Sequence, residues 1–283
     1  MKKFLKENVI FLVISFLCFS MEPAVLLAQS GGIDPRPFTQ PLSLSRGVLV
    51  SGDDAALYLT KDDYCEIVLY EWGWDECASI DAMTVQPFAG TDTVIVSKPN
   101  TDGYVKLDDW DSAERESAVR EIELSLAEGM RAQGEKLGQD LRFIGWRTQP
   151  TLNKDKKYLY YATDSSWNGA PVTNITATVF DRKGFVEFSI VPDRDDLTST
   201  EVENMINSVL DLYTPKQKES YSEFVTGDNV AAVGAIGVLA GLVGVKYGKA
   251  AATGLFALGV LLLKKFYFLL LIPLLGIGKL FKR

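Results

Sequence analysis

The C-terminal fifth of the sequence is almost entirely apolar. Its apolar runs, broken twice by short lysine-containing segments, are 230–245, 250–263 and 266–277. A water-soluble domain cannot bury that much apolar surface from one terminal segment, so the segment is expected in lipid. Each run is shorter than the roughly 20 residues of a spanning helix, which leaves the number of crossings open between one and three. The sequence therefore predicts a transmembrane tail over 229–283.

A stripe of small residues begins in the first of these runs and ends just after it, and its members are Gly237, Gly241, Gly244 and Gly248. On a membrane helix, small residues four positions apart let a second helix approach closely. The stripe predicts packing against another helix, either from a second copy of this chain or from another membrane protein. Because glycine is common in membrane helices generally, the stripe also has an interpretation without any packing role.

The N-terminus has the pattern of an export signal. Three lysines precede an apolar run over 9–19, and Leu26-Leu27-Ala28 offers a cleavage site. This pattern predicts a signal peptide over 1–28, with an uncleaved N-terminal anchor as the alternative. Both interpretations export the chain from residue 29 onwards. The segment 29–46 contains three prolines and is expected to be an extended linker.

Charge is distributed unevenly along the chain. Residues 29–228 contain 35 Asp and Glu against 19 Lys and Arg, although the net charge of the whole chain is only −8. So acidic a segment repels polyphosphate, which argues against a nucleic-acid partner. The chain contains no histidine, so catalytic triads and metal sites that use histidine are excluded. No cofactor is expected.

Residues 47–228 are expected to form an exported α+β domain with a largely antiparallel sheet and two helices. One helix is expected to have Asp111 or Ser112 as its N-cap and to end near Gly138. Glu residues lie in its first turn, near the positive end of the helix dipole. The other is expected to begin with a capping box of Thr200 and Glu203. The apolar positions with helical spacing are Val119, Ile122, Leu126 and Met130 in the first and Val202, Met205, Ile206, Val209 and Leu210 in the second.

Strands are predicted from runs of β-branched and aromatic residues. Residues 65–70 have this composition, and 72–83 are expected to be a short helix or loop. A turn at Gln149-Pro150-Thr151 is expected between strands 141–146 and 158–162. The clearest hairpin joins strands 172–180 and 185–191, because a glycine after a polar turn is typical of such a connection.

Cys65 and Cys77 are the two cysteines that remain after removal of the signal. An even pair in an exported domain indicates a disulfide. Two free buried thiols or a redox pair are the alternatives, but a redox pair normally has only two residues between its cysteines.

Several short segments of this sequence occur in the same order in one bacterial family. They are Tyr104-Val105-Lys106, Asp108-Asp109, Glu128-Gly129, Ile144-Gly145-Trp146, Asn174, Arg182-Lys183-Gly184-Phe185, Tyr221-Ser222-Glu223-Phe224, Gly227-Asp228 and Lys264-Lys265-Phe266. On these segments the chain resembles domain of unknown function 2167, a family described as predicted membrane-anchored proteins. The resemblance implies an exported domain with a membrane tail in the bacterial inner membrane, and it implies no known activity.

Three groups of residues are candidate sites. Aromatic residues around one strand pair, which are Trp146, Tyr158, Tyr160, Tyr161 and Trp167, are a possible ligand surface or simply core packing. Neighbours on a strand point to opposite faces, so Tyr160 or Tyr161 is expected outside the core. Asp108, Asp109 and Asp111 are possible cation ligands, but acids at a helix start are commonly partners of the helix dipole. Residues 193–196 are interpreted as a solvated loop.

The sequence supports two functional hypotheses. The first is a non-enzymatic envelope protein, held in the inner membrane with its main domain in the periplasm, that binds a partner or has a structural role. The second is a hydrolase without histidine that acts on an envelope polymer through two carboxyl groups. The second requires two carboxyls facing one cleft, with the pKa of one of them raised.

Overall fold

The computed structural model describes residues 33–52, 56–71, 74, 76–194 and 196–245. Met1–Asp34 and Pro35–Arg283 separate as two compact units, and all helices and strands of the described residues lie in the second. The predicted signal, Gly248 and the apolar runs beyond 245 lie outside the described residues.

Two antiparallel sheets form the centre of the fold. In chain order, the strands are β1 (Arg36–Pro37), β2 (Leu42–Ser43), β3 (Gly47–Leu49), β4 (Leu57–Leu59), β5 (Ile80–Phe88), β6 (Thr91–Ser97), β7 (Leu141–Asn153), β8 (Tyr158–Trp167), β9 (Ala170–Asp181), β10 (Gly184–Pro192) and β11 (Tyr213–Pro215). The large sheet has eight strands in the order β1-β4-β5-β6-β10-β9-β8-β7. The small sheet has three strands in the order β11-β3-β2.

Four α-helices occur in the part of the chain that the structure describes. They are α1 (Lys61–Glu66), α2 (Arg115–Leu137), α3 (Ser199–Leu210) and α4 (Ala235–Leu242). The α+β class and the largely antiparallel sheet are therefore confirmed, with two helices more than the sequence predicted. Helix α2 ends at Gly138, whose φ of 66° is a left-handed conformation that glycine adopts without strain.

Both faces of the large sheet are covered. Side chains alternate along β8, so that Tyr158 and Tyr160 enter a first core with α3, whereas Leu159 and Tyr161 enter a second core with α2 and α4. The predicted apolar face of α3 is entirely buried in the first core. In α2, Ile122 and Leu126 are buried in the second core. The large sheet is thus the middle layer between two helical layers.

The prediction of a strand over 65–70 was wrong, because α1 and a following π-helical turn, Ile67–Glu71, occupy that segment. Thr60 and Asp63 form a capping box that starts the helix. The buried side chains Tyr64, Ile67 and Val68 are three and four positions apart, which is helical spacing. β-branched composition alone does not distinguish a buried helix from a strand, whereas this spacing does.

The turn expected at Gln149-Pro150-Thr151 lies inside β7, and the chain reverses instead at 154–157. Strand β7 is the edge of the sheet, and its register shifts between Thr148 and Thr151. Proline lacks a backbone N–H and is tolerated at an edge or a bulge, where no ladder hydrogen bond is lost. The capping box of α3 also differs from the prediction, since it is formed by Thr198 and Glu201, two positions earlier.

Both predicted boundaries of the domain need correction. The expected linker 29–46 contributes β1 to the large sheet and β2 to the small one. At the other end, α4 lies within the first apolar run and is packed in the second core, so the fold extends past Asp228. No helix within the described ranges has both the length and the apolar character needed to cross a membrane.

Candidate functional site

Residues 221–234, which lead into α4, are held by contacts from distant parts of the chain. Residues 229–231 lie beside Tyr104 in a short parallel pairing. The Tyr104 amide donates to the Asn229 carbonyl at 2.8 Å, and the Ala231 amide donates to the Tyr104 carbonyl at 2.9 Å. A Cβ on Gly103 would lie 2.8 Å from two backbone atoms of this segment, so glycine permits the approach. We call residues 221–234 and the side chains that hold them the junction.

Arg182, in the turn of the β9–β10 hairpin, binds the junction through a two-point ion pair. Its Nε and Nη2 atoms each lie 2.7 Å from an oxygen of Asp228. Asp228 also accepts the amide of Val225 at 2.9 Å, which closes a turn. The hydrogen bond from Arg182 is the main reason why the pKa of Asp228 is lowered to about 2. The turn is therefore held by an aspartate that stays ionised.

Three aromatic rings stack beside this turn. The ring of Tyr104 lies between those of Tyr221 and Phe224, with centroid distances of 4.3 and 4.1 Å. The Tyr221 hydroxyl donates to the carbonyl of Val105 at 2.7 Å. Partial burial, more than any other cause, raises the pKa of Tyr221. The stack thus holds the junction against the segment that contains Tyr104.

The end of the junction is the N-terminus of α4, which is capped by Asp109. The two carboxylate oxygens accept the amides of Ala235 and Ile236 at 2.9 and 3.0 Å. A helix N-terminus leaves its first amides without partners inside the helix, and a carboxylate satisfies them. Burial nevertheless raises the pKa of Asp109, because its desolvation outweighs the lowering effect of these hydrogen bonds.

Gly234 makes this cap possible. A Cβ at that position would lie 2.4 Å from the carboxyl group of Asp109. Any side chain at 234 would therefore displace the carboxylate from the helix it caps.

The side chains of the junction hold segments of the folded chain together. The carboxylates of Asp109 and Asp228 are bound to backbone amides and, in the case of Asp228, also to arginine. Within the described ranges no group of three or more Asp, Glu, Cys or His side chains is arranged to hold a metal ion. The possible cation ligands are separated in the structure, since Asp109 caps α4 and Asp111 pairs with Lys154.

The family model described as "Protein of unknown function (DUF2167)" matches residues 42–275, which is most of the chain. The chain belongs to the DUF2167 family. That match includes the large sheet, the junction and α4, and it continues into the apolar runs beyond. The structure brings together several of the short segments that the sequence shares with DUF2167, because Tyr104, Asp109, Arg182, Tyr221, Phe224 and Asp228 all lie at the junction.

None of the curated proteins matches this DUF2167 sequence. Among solved structures, it is similar to the solution structure of cyanobacterial PsbP (CyanoP) from Synechocystis sp. PCC 6803, with a TM-score of 0.27 and 12% identity. The similarity covers 49% of this chain and 75% of that chain. A TM-score of this size supports no conclusion about fold or function.

Cys65 and Cys77 are joined by a disulfide in the structure, with their Cα atoms 5.2 Å apart. The bond connects α1 to the loop before β5. Its partners are those that the sequence indicated.

The aromatic residues proposed as a ligand surface do not share one. They are divided among three clusters, with Tyr158 and Tyr160 in the first core, Trp146 and Tyr161 in the second, and Trp167 beside Leu141 and Val172. Tyr160 and Tyr161 are both buried, contrary to the expectation that one would lie outside. The reason is that helices cover both faces of the sheet.

The glycine stripe is not one helical face within the described residues. Helix α4 ends at Leu242, and Gly244 follows with a φ of 73°. Gly237 is buried in the domain, where an added Cβ would lie 2.6 Å from Val233. Contact with a second copy or another membrane protein through this stripe stays a prediction. In the loop 193–196, Arg194 pairs with Asp196 and Glu201.

A buried ion pair between Arg46 and Asp181 was missed by sequence reasoning. The two side chains are 7% and 1% exposed, and Nη1 lies 2.5 Å from Oδ1. Arg46 also donates to the carbonyl of Asn100, and Asp181 accepts the amide of Lys183. The pair fixes the small sheet to the tip of the β9–β10 hairpin. Its members are 135 positions apart, so no local pattern could have revealed it.

Proposed function

We propose that this chain is an exported envelope protein, tethered to the bacterial inner membrane by its C-terminal tail, that acts as a non-enzymatic binding or structural module with its main domain in the periplasm. The observation that supports export best is the disulfide between Cys65 and Cys77. Structural disulfides persist in oxidising compartments such as the periplasm and are rare in the bacterial cytoplasm. The signal-like N-terminus supports the same conclusion.

The support for a tether is the apolar sequence beyond α4. Because α4 belongs to the folded domain, the residues available for the bilayer are those after Val245, namely the runs 250–263 and 266–277. Each is short for one crossing, and together they exceed the roughly 20 residues that one helix needs. The junction and α4 are then both part of the domain, and the anchor follows directly after them.

Export is tested by labelling cysteines in spheroplasts with a membrane-impermeant maleimide. The wild-type pair should react only after reduction. In Cys65→Ser, the free Cys77 thiol should react without reduction and without lysis. A Cys77 thiol that reacts only after lysis would place the domain in the cytoplasm and refute the proposal.

The tether is tested by stopping the chain after Val245, which keeps α4 and removes the later apolar runs. The shortened protein should fold and be released in the soluble periplasmic fraction, whereas the full chain should resist extraction by alkaline carbonate. Release of the full chain by carbonate would refute the tether without affecting the conclusion about export.

A pair of carboxyl groups bears on the hydrolase hypothesis. Burial raises the pKa of Asp92, and the nearby carboxylate of Asp193 raises it further. A carboxyl with a raised pKa beside a second carboxyl is one of the two requirements of the proposed acid–base mechanism, and the other is that both carboxyls face one cleft. If the purified protein degrades isolated cell-wall polymer, Asp92→Asn should abolish the activity. Equal activity of the variant would exclude this pair, and absence of activity in the wild type favours the binding module.

A further inference from the structure

Seven large apolar side chains are exposed among the described residues, and two of them lie at the junction. Val225 is 52% exposed and Val230 is 40% exposed. The other five are distributed over different elements, namely Val50, Tyr70, Leu124, Leu137 and Ile144. Single exposed apolar residues are normal on protein surfaces, but a pair next to a long apolar segment is not explained in that way.

Val225 and Val230 flank the same aromatic stack. Val225 follows Phe224, whose ring lies on that of Tyr104, and Val230 is the pairing partner of Tyr104 in the short parallel bridge. Val225 is thus next to the stack along the chain and Val230 is next to it across the bridge, which places an apolar patch of two exposed valines and three partly exposed rings at the junction. We call this patch, formed by Tyr104, Tyr221, Phe224, Val225 and Val230, the junction face.

The turn between the two valines is fixed by polar contacts. The amide of Val225 is bound by Asp228, the amide of Asp228 donates back to the carbonyl of Val225 at 3.0 Å, and Arg182 holds the carboxylate. Fixed in this way, the Val225 side chain cannot turn inwards to the core. An apolar side chain held in water by a rigid turn is ready to enter an apolar environment without further ordering of the backbone.

Charges of both signs surround the junction face. Lys157 lies 5.1 Å from the centre of the Tyr221 ring, Arg182 is opposed by Asp228, Glu219 and Glu223, Lys183 pairs with Glu219, and Asp108 lies near Tyr221. A partner selected by charge would require an excess of one sign. Tyrosine rings beside exposed aliphatic side chains, with lysine and arginine at the margin, are instead typical of the zone where a protein meets lipid headgroups.

The number of residues between the junction and the next apolar run indicates that a membrane surface can lie close to the junction face. Helix α4 has eight residues and spans about 12 Å, and the first apolar run after it begins at Ala250. A bilayer that contains this run lies a short distance from the junction face. We propose that the junction face rests on the bilayer surface, with Val225 and Val230 inserted among the headgroups, so that the domain has one fixed orientation on the membrane. This inference depends on the tether proposed above.

The test uses the full chain carrying Cys18→Ser, with the native disulfide kept oxidised, in phosphatidylcholine vesicles that contain phosphatidylglycerol. A spin label is attached to Val225→Cys or Val230→Cys, and in matched controls to Val50→Cys or Leu137→Cys. The control positions are also exposed and apolar, at 40% and 36%, and lie on other elements. Collision of each label with membrane-soluble oxygen and with a water-soluble nickel chelate is then measured.

Labels at 225 and 230 should be several-fold more accessible to oxygen than to the nickel chelate, whereas labels at 50 and 137 should show the reverse. If all four labels favour the nickel chelate while the protein floats with the vesicles, the junction face is not on the bilayer, although the tether stands. If the full chain does not float with the vesicles, the tether and this inference both fail.

Discussion

Helices α3 and α4 lie on opposite faces of the same sheet, but they begin in different ways. Helix α3 is amphipathic and is capped by its own neighbours, Thr198 and Glu201. Helix α4 is apolar throughout, with no polar residue at its start, and its cap is Asp109, which is 126 positions earlier. A helix without polar residues at its start cannot cap itself, and here a distant segment supplies the acceptors for its first amides.

The two capping carboxylates also differ in their ionisation. Glu201 lies at the surface, and its pKa is lowered to about 2, chiefly by the hydrogen bond from the Thr198 amide. Asp109 is half-buried, and its pKa is raised although it accepts two amides. Hydrogen bonds from backbone amides thus stabilise the ionised form of a carboxyl at the surface. When the carboxyl is buried, such bonds do not compensate fully for its desolvation.

The largest effect is expected from Gly234→Ala, because the new Cβ would occupy the position of the Asp109 carboxyl. Loss of the cap together with overpacking should lower the free energy of unfolding by about 2–4 kcal/mol. Urea denaturation of the protein stopped after Val245 measures this difference.

Gly241→Ala is the matched control in the same helix. An added Cβ there has no atom within 4 Å, so the change should be neutral or stabilise by up to about 1 kcal/mol. Equal losses for the two variants would show that α4 does not depend on the cap from Asp109.

Asp109→Ala should have the next largest effect, because it leaves two amides of α4 without acceptors. The expected loss is about 1–2 kcal/mol in urea denaturation. Asp108→Ala, at the exposed neighbouring position, should change stability by less than about 0.5 kcal/mol. If both variants lose the same amount, the effect arises from the charge of the segment rather than from the cap.

The raised pKa of Asp109 predicts how stability depends on pH. A carboxyl whose pKa is higher in the folded state than in the unfolded state contributes stability below the unfolded value and loses it as the pH rises through the folded value. The free energy of unfolding of the wild type minus that of Asp109→Asn should therefore decrease as the pH is raised from about 4. A difference that increases with pH would mean that the hydrogen bonds outweigh burial.

The smallest expected effect is a change in the pKa of Glu201, which is measured by titrating that carboxyl group. In Arg194→Ala the pKa of Glu201 should rise but remain below its usual value, because the hydrogen bonds from Thr198 are the larger cause. NMR titration of the Glu201 carboxyl measures this. A return to the ordinary pKa in Arg194→Ala would assign the lowered value to the arginine instead.

Local patterns predicted the parts of the fold that local sequence determines. The apolar spacing of α3, the β9–β10 hairpin and the end of α2 at Gly138 each depend on residues within a few positions of one another. Helix α4 was assigned to the bilayer, because an apolar run has the same composition whether lipid or a domain core surrounds it. Contacts with residues far away in sequence, namely the second core and the cap from Asp109, distinguish the two.

The junction could be predicted only as a set of short segments shared with a family. Nothing in Arg182 or Asp228 indicates that the two form an ion pair, since the turn of a hairpin and the end of a domain are close only in the folded chain. The burial of both Tyr160 and Tyr161 likewise depends on helices on both faces of the sheet, with α3 in the core of Tyr160 and α2 and α4 in the core of Tyr161. Each of these contacts joins segments that are distant in sequence.

The late position of α4 in the chain has a consequence for biogenesis. During synthesis, strands β7 to β10 emerge before the helix that completes one of their two sides, so Leu159, Tyr161 and Phe180 stay incompletely covered until residues 235–242 have emerged. Incompletely covered apolar surface of this kind is a target for chaperones and a source of aggregation. In a recombinant fragment that ends at Asp228, this side of the sheet would stay incompletely covered. A fragment that ends after Val245 includes α4, which covers it.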